Sequence, residues 1–397
     1  MIILELIYKI YIKIRKSLQI PVRYFVKMVV AISFYTAPKK GSKPTLLIIS
    51  DNGLGDYFLV QNYFKYLRTS TRYKNHKIIV LSKTDRIDCY KKFNKDIFDE
   101  IIPFYPAKYT SNFIYRIYIL NKLIYKNITE VLNVLVSYTD IDYDSLSTTS
   151  ILQYLKPEHA VAHIIKPNDN KLLEKFNLYD ELITTDRTDM YEFDRNRQFF
   201  ENLLGLKIYE GNLPRIKTDS NVVTNRIGIC PFKRNTTQVL TKEFWIELIN
   251  LITENNPNFA VSIIGAPQDF SDVNEIIRSI KNNNNVLNLA GKIKSSDLPE
   301  YIHSCEALIS VETGTVHIAS AVDTNTLCIS NGSFYKRFQP IPSDYINYIY
   351  PPEYYNTPKP AKDGLNIYAN KTEDFDINTI TAETIFNKFN EILNNTN

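Results

Sequence analysis

The sequence predicts an α/β protein made of two doubly wound halves, each a parallel sheet wrapped in helices, and three observations predict it. A chain of 397 residues exceeds what one hydrophobic core usually supports, so two domains are expected. Short apolar runs of strand type alternate with longer segments of helical period. The alternation stops once, across the polar, proline-broken stretch 207–225, and then restarts, as at an interdomain linker.

The elements follow in order. Residues 1–43 form a leader in which Leu4, Ile7, Tyr8, Tyr11, Ile14 and Leu18 recur at helical spacing with lysines between them, ahead of a mostly apolar run over 24–37. The first half, 44–206, opens on a strand at 45–50, a helix over 57–68 and a strand at 77–81. Further strands are expected at 98–102, 130–136, 159–165 and 182–185, and a helix over 192–204 is stopped by Gly205. The second half, 226–344, alternates strands at 227–230, 260–264, 286–289, 307–311 and 326–330 with helices over 242–253, 272–280, 296–305 and 316–322. The tail, 345–397, reads as a Tyr/Pro-rich loop to about residue 360 and a closing helix over 382–393.

Hydrophobic content of 44% and charged content of 23% are those of a soluble globular protein. Cys89, Cys230, Cys305 and Cys328 lie far apart with no CxxC pair, which argues against a zinc ribbon or a disulfide framework. Net charge is +4, but the leader alone carries +8, so the body is mildly acidic and a general nucleic-acid surface is excluded. The apolar run 24–37, interrupted by Lys27, is too short to span a bilayer, and the leader has no clean signal-peptide core. It reads as a helix lying on an anionic membrane face, the alternative being a helix packed on the body of the protein.

Ligands of open parallel sheets sit beyond the carboxyl ends of strands, so chemistry is expected in those loops. The stretch Ser310-Val311-Glu312-Thr313-Gly314-Thr315-Val316-His317 runs from a strand end through a turn into a helix of small residues. Gly314 would allow a turn with positive φ, Thr315 could cap the helix, and the exposed amides of the helix start attract anions. The first such loop, Ser50-Asp51-Asn52-Gly53-Leu54-Gly55-Asp56, imitates a dinucleotide fingerprint, but Phe58 holds the third glycine position and a dehydrogenase is rejected. Asp56 would either cap a helix or act as a general base. His159 and His163 fall on a strand with no third ligand close by, so no metal site is expected. Residues 105–126 interleave aromatics with Lys108, Arg116, Lys122 and Lys126, an amphipathic helix that could also guide an anionic glycolipid. Cys305 and Cys328 lie in apolar surroundings, where a structural role is usual.

Four segments in order resemble glycosyltransferase family 9, the ADP-heptose:lipopolysaccharide heptosyltransferases and their relatives: Ile48 to Asp56; Ile229-Cys230-Pro231 with Lys242 to Trp245; Val261 to Pro267; and Asn288 to Gly291 running on to Ser310 through Ala319. The resemblance covers about residues 45–342. It implies a GT-B architecture of two Rossmann-like domains facing across a cleft, 44–206 for the acceptor and 226–344 for the nucleotide-sugar donor. It further implies an inverting reaction with no metal and no cofactor, the nucleotide-diphosphate sugar (ADP-linked in the family's name) being a substrate. Asp56 is carried over as the general base, with Gly53 and Gly55 forming its loop, and Thr313, Gly314 and His317 as contacts to the donor diphosphate and sugar. Leaving-group charge would be stabilised by fixed amides and a nearby cation. Where the family usually has aspartate this chain has Glu312, and where it has a lysine before the Trp helix this chain has Gln238. Lys233 or Arg234 would supply the charge and Thr236 or Thr237 hydroxyl contacts, unless these are ordinary solvated loop residues.

The expected function is transfer of a sugar, a heptose among the candidates, to a lipopolysaccharide, lipooligosaccharide or other surface glycan at the cytoplasmic face of a bacterial inner membrane. A non-catalytic scaffold of the same fold stays open, since fold does not fix function, and so does a nucleotide-sugar epimerase.

Overall fold

The computed structural model describes residues 24–37, 43–50, 53–134, 145–165, 177–185, 190–232, 239–332, 335–356 and 375–394. The first sheet contains β1 (Thr45–Ser50), β2 (Lys77–Lys83), β3 (Glu100–Phe104), β4 (Glu130–Asn133), β5 (His159–Ile165) and β6 (Glu181–Thr185), in the order β3-β2-β1-β4-β5-β6. The second contains β7 (Val223–Cys230), β8 (Ala260–Ile263), β9 (Val286–Asn288), β10 (Cys305–Val311), β11 (Thr326–Ile329) and β12 (Ile346–Ile349), in the order β12-β11-β10-β7-β8-β9. Read from its first strand, each has the doubly wound order 3-2-1-4-5-6, with the switch point between β1 and β4 in one and between β7 and β10 in the other. All six residues of β1 are buried, as a parallel strand covered on both faces requires.

The helices of the first part of the chain are α1 (24–36), α2 (Leu54–Val60), α3 (Lys65–Thr69), α4 (Ile87–Phe93), α5 (Pro106–Ser111), α6 (Phe113–Ile124), α7 (Ser145–Leu155) and α8 (Glu192–Leu204). Those of the second are α9 (Lys242–Asn255), α10 (Phe270–Ser279), α11 (Leu298–Ser304), α12 (Gly314–Ala321), α13 (Pro352–Asn356) and α14 (Ala382–Asn394). One core lies under the first sheet, with Leu47, Ile79, Val131 and Leu120 at 0% exposure, and another under the second, around Trp245, Ile263, Ile309 and Phe389. The closing helix α14 belongs to that second core through Ile385, Phe389 and Leu393.

The chain forms two compact units that interrupt one another in sequence. The first comprises residues 1–51, 67–87 and 95–184, and the second comprises 52–66, 88–94 and 185–397. The helix α2, which follows β1 directly in the chain, therefore belongs to the second unit.

Three differences from expectation have physical causes. The helix expected over 57–68 begins at Leu54 and breaks into a 3₁₀ turn at Gln61–Tyr63, because Tyr57, Phe58, Leu59, Val60 and Tyr63 are all buried and show no single apolar stripe. The strand β3 runs through Pro103, which an edge strand tolerates, so it lies later than the expected 98–102. Ile346–Ile349, within the expected loop, completes the second sheet as its edge. The short runs Ile-Asn-Tyr-Ile and Val223 to Asn225, the latter extending β7 into the expected linker, were too polar to read as strands.

Candidate active site

The motif begins where β10 ends. Val311 closes the strand at the switch point of the second sheet, the Glu312 amide donates to the Ile329 carbonyl (3.1 Å), and Thr313 turns the chain into α12 with extended backbone (φ −147°, ψ 179°). Thr313 is thus the N-cap, and its side chain makes no capping bond. The Thr315 hydroxyl, expected to cap, instead lies inside the first turn between Ser310 Oγ (2.9 Å) and Thr313 Oγ1 (2.6 Å). This hydroxyl relay fixes the turn, leaving the first amides of α12 as the orphan donors that every helix start presents.

Gly314 does not adopt positive φ; its role is steric. A Cβ there would sit 2.8 Å from the Gly55 nitrogen and 3.1 Å from its Cα, and a Cβ on Gly55 would sit 3.0 Å from the Gly314 Cα and 3.2 Å from His317 Cδ2. Two glycines 259 positions apart in sequence therefore let the first turns of α2 and α12 touch backbone to backbone inside the second unit. Two helix N-termini in contact repel through their partial positive charges, and a carboxylate or bound anion between them offsets this.

Asp56 follows Gly55 in the chain and is the one carboxylate of α2. It is the third residue of α2, and its Oδ2 accepts the Gly53 amide at 2.8 Å, the reciprocal half of a capping box. A Cβ on Gly53 would meet the same oxygen at 2.7 Å, so a larger residue there would make the Asp56 carboxylate shift. Asp56 is half-buried.

His317 is buried at 6% exposure on the next turn of α12, its Nδ1 3.3 Å from the Tyr191 hydroxyl and its ring edge-on to Phe338 (centroids 5.8 Å apart). Burial lowers its pKa to about 4, a negative charge on Glu192 opposing this more weakly. At neutral pH the imidazole is uncharged, so it is a hydrogen-bonding group, and the cation expected beside the diphosphate is not this histidine.

Behind the histidine lies a buried ion pair between residues far apart in the chain. Arg337 donates through Nε (2.9 Å) and Nη2 (3.3 Å) to the two oxygens of Glu192, the Glu192 amide donates to the Arg337 carbonyl (2.8 Å), and Arg195 Nε lies 3.5 Å from Glu192 Oε2. Arg337 also stacks over Phe338 (4.6 Å). The start of α8 and the 335–339 turn are thereby tied to one another around His317. Only a pairing across 145 residues reveals this, and no local motif encodes it.

Glu312 is half-buried in a narrow pocket with Pro231, Val239, Ser330 and Asn331, between the loop after β7 and the end of β11. Lys233, Arg234, Thr236, Thr237 and Gln238 lie outside the described residues. The thiol of Cys230, at the end of β7, is pushed up to about 12 by burial, so it is a packed, unreactive group, and all four cysteines are free and buried. His159 pairs with Glu181 (2.9 Å) and His163 with the Val134 carbonyl (3.0 Å). Among the described residues no group of His, Cys, Asp or Glu could hold a metal ion, and no helix is long and apolar enough to cross a membrane.

Comparison with known proteins bears on this geometry. Residues 194–362 match the family model of glycosyltransferase family 9 (heptosyltransferase), the family recognised from the motifs. Comparison with curated protein sequences gives no match. Among solved structures, E. coli ADP-heptose lps heptosyltransferase II is 15% identical with a TM-score of 0.60, over 89% of this chain and 99% of that one. The glycosyl transferase family 9 structure from Veillonella parvula DSM 2008 is 11% identical with a TM-score of 0.64, over 91% of this chain and 100% of that one. E. coli heptosyltransferase WaaC with ADP-2-deoxy-2-fluoro heptose is 13% identical with a TM-score of 0.58, over 87% and 99%. At these identities the likeness establishes the fold, a pair of Rossmann-like halves of GT-B type.

Proposed function

We propose that this chain, a nucleotide-sugar glycosyltransferase by its match to family 9 over residues 194–362, transfers its sugar with inversion and without a metal ion to a lipopolysaccharide, lipooligosaccharide or other surface glycan. The observation that supports this best is the Gly55–Gly314 contact, which brings the first turn of α2, where Asp56 is the one carboxylate, against the first turn of the donor-motif helix.

In this reading Asp56 removes the proton of an acceptor hydroxyl as that oxygen bonds to the anomeric carbon. The bond from that carbon to the β-phosphate oxygen breaks, and the diphosphate leaves with its new negative charge toward the first amides of α12. The neutral His317 adds a hydrogen-bonding group that needs no proton uptake at physiological pH, while the Thr313 and Thr315 hydroxyls hold the turn in shape. Glu312 reaches toward the donor sugar from the floor of the switch point, and Lys233 or Arg234 supplies the cation that His317 does not. The WaaC structures contain ADP or ADP-2-deoxy-2-fluoro heptose, so an ADP-linked donor is the first to try here, with heptose as its sugar. The basic leader, 1–43, holds the protein at the cytoplasmic face of the inner membrane, near a lipid-linked acceptor.

One observation favours a second reading, a binding scaffold: the Asp56 carboxylate already accepts a capping bond, which a purely structural acid would do. A panel of ADP-, GDP- and UDP-sugars with a lipooligosaccharide acceptor separates them. Acceptor-dependent release of nucleoside diphosphate supports transfer, tight donor binding without turnover supports the scaffold, and donor conversion without acceptor supports an epimerase.

A further inference from the structure

The first unit carries an apolar face and a basic cleft that the transfer reaction does not use. Helix α1 is apolar on two sides. Val26, Val30 and Ser33 are buried against the first core, while Tyr24, Met28, Ile32 and Tyr35 form the opposite stripe and are exposed, Tyr35 to 93%. Alongside it, α6 exposes Ile114, Tyr118 and Tyr125 at helical spacing. The two helices are pinned together by Ser33 Oγ donating to Asn121 Oδ1 (2.6 Å), by the Thr36–Tyr125 hydroxyl pair (2.7 Å) and by edge-on packing of Phe25 on Phe113. A contiguous aromatic and aliphatic surface of this kind marks an interaction site.

At the C-terminal ends of both helices the chain enters an open cleft of about 620 Å³, where Tyr125 forms part of both surfaces. The cleft lies at the start of β1 and β2, where Thr45 and Lys77 line it, at the other end of β1 from Ser50. Its cations are Lys43, Arg68, Lys74, Lys77 and Lys126. Its one acid, Asp99, is taken by Arg68 (2.7 Å) and the Ile78 amide (2.7 Å), and Glu100 nearby is shared by Lys126 (2.7 Å) and Lys77 (3.7 Å). Lys43 and Lys74 make no ion pair among the described residues, and His76 Nδ1, buried in the same wall, has no hydrogen-bond partner.

Charge in the sequence points the same way. Neither 6–50 nor 101–129, the stretches that contain α1, Lys43, α6 and Lys126, has a single Asp or Glu, although 43 acids in 397 residues would place about eight in a length of that size. An apolar stripe beside a cleft with an excess of cations complements an anionic lipid surface.

We propose that this face of the first unit docks on an anionic phospholipid bilayer, with the α1–α6 stripe in the interfacial region and the Lys43–Lys74–Lys126 cleft taking a phosphate headgroup. It deepens the membrane reading given to the leader and does not depend on the transfer reaction.

The test is flotation of the full chain with vesicles of phosphatidylcholine alone and of phosphatidylcholine with phosphatidylglycerol. The protein is expected to float with the anionic vesicles only. Lys43→Gln with Lys74→Gln, which breaks no ion pair among the described residues, should weaken that partition by roughly 30-fold, since each lysine near such a surface is worth about a factor of five. Met28→Gln with Ile32→Gln should weaken it by roughly tenfold or more through lost apolar insertion. Replacing Lys9, Lys13, Arg15 and Lys16 by Gln should leave a clear preference for phosphatidylglycerol. If that preference disappears with the leader charges and survives loss of Lys43 and Lys74, the cleft is not the headgroup site and the leader alone anchors the chain. Equal binding to both vesicles also overturns the proposal, as does release by millimolar inorganic phosphate, which would make the cleft a site for a soluble anion. Failure to float with either vesicle would remove the membrane reading itself, with the transfer assay left unaffected.

Discussion

Gly314→Ala tests the joint between α2 and α12. Its new methyl would lie 2.8 Å from the Gly55 nitrogen and 3.1 Å from its Cα, both backbone atoms that cannot rotate aside. Ordinary contact begins at about 3.5 Å, so the two helix starts must part by roughly 0.5 Å or more. Overpacking of this kind costs about 1–3 kcal/mol, offset by up to ~1 kcal/mol because alanine favours helix over glycine. A net loss of about 1–2 kcal/mol in urea unfolding is expected. Transfer should fall further, by about 100-fold, because the displacement separates Asp56 from the amides of α12. Gly55→Ala should behave alike, and the double variant should cost less than the sum, since the first methyl has already opened the gap. Gly211→Ala, where a Cβ meets nothing within 4 Å, is the matched control and should be nearly silent. A Gly314→Ala protein with wild-type stability and turnover would refute the contact.

Two further outcomes follow from the buried groups around this joint. His317 is held neutral with a folded pKa of about 4 against an unfolded value of 6.5, so the unfolded chain takes up the proton first as pH falls. Stability is therefore full above pH 6.5 and is lost between 6.5 and 4; unfolding free energies from urea titrations at pH 7 and pH 5 should differ by about 2 kcal/mol, and His317→Gln should flatten this difference. Glu192→Gln leaves Arg337 and Arg195 buried without their carboxylate and should destabilise by about 3–5 kcal/mol, whereas Glu192→Gln with Arg337→Met should recover part of that loss, read as thermal midpoints.

Much of the fold was legible because parallel strands buried on both faces, such as Leu46 to Ile49 and Ala307 to Val311, read as unbroken apolar runs. The edges were not: Pro103 inside β3 and the polar Ile346–Ile349 violate that pattern because an edge strand satisfies its backbone on one side only. The motif residues Asp56, Thr313, Gly314 and His317 could be named from local sequence, but the reason for Gly314 could not, since its neighbour Gly55 is distant in the chain and a positive φ was the only local argument available. The charge state of His317 was hidden for the same reason: Tyr191 and Phe338, which desolvate it, come from two remote segments.

The central claim is that Asp56 is the base of a sugar transfer whose leaving diphosphate sits at the start of α12. Asp56→Asn addresses it most directly, because the amide oxygen can still accept the Gly53 N–H and preserve the helix start while losing the ability to take a proton. Measured with an ADP-sugar and a lipooligosaccharide acceptor, turnover should fall by about 10²–10⁴-fold, with donor affinity and the urea midpoint unchanged. Wild-type turnover in that variant, or a loss that tracks only weakened donor binding or unfolding, would contradict the account.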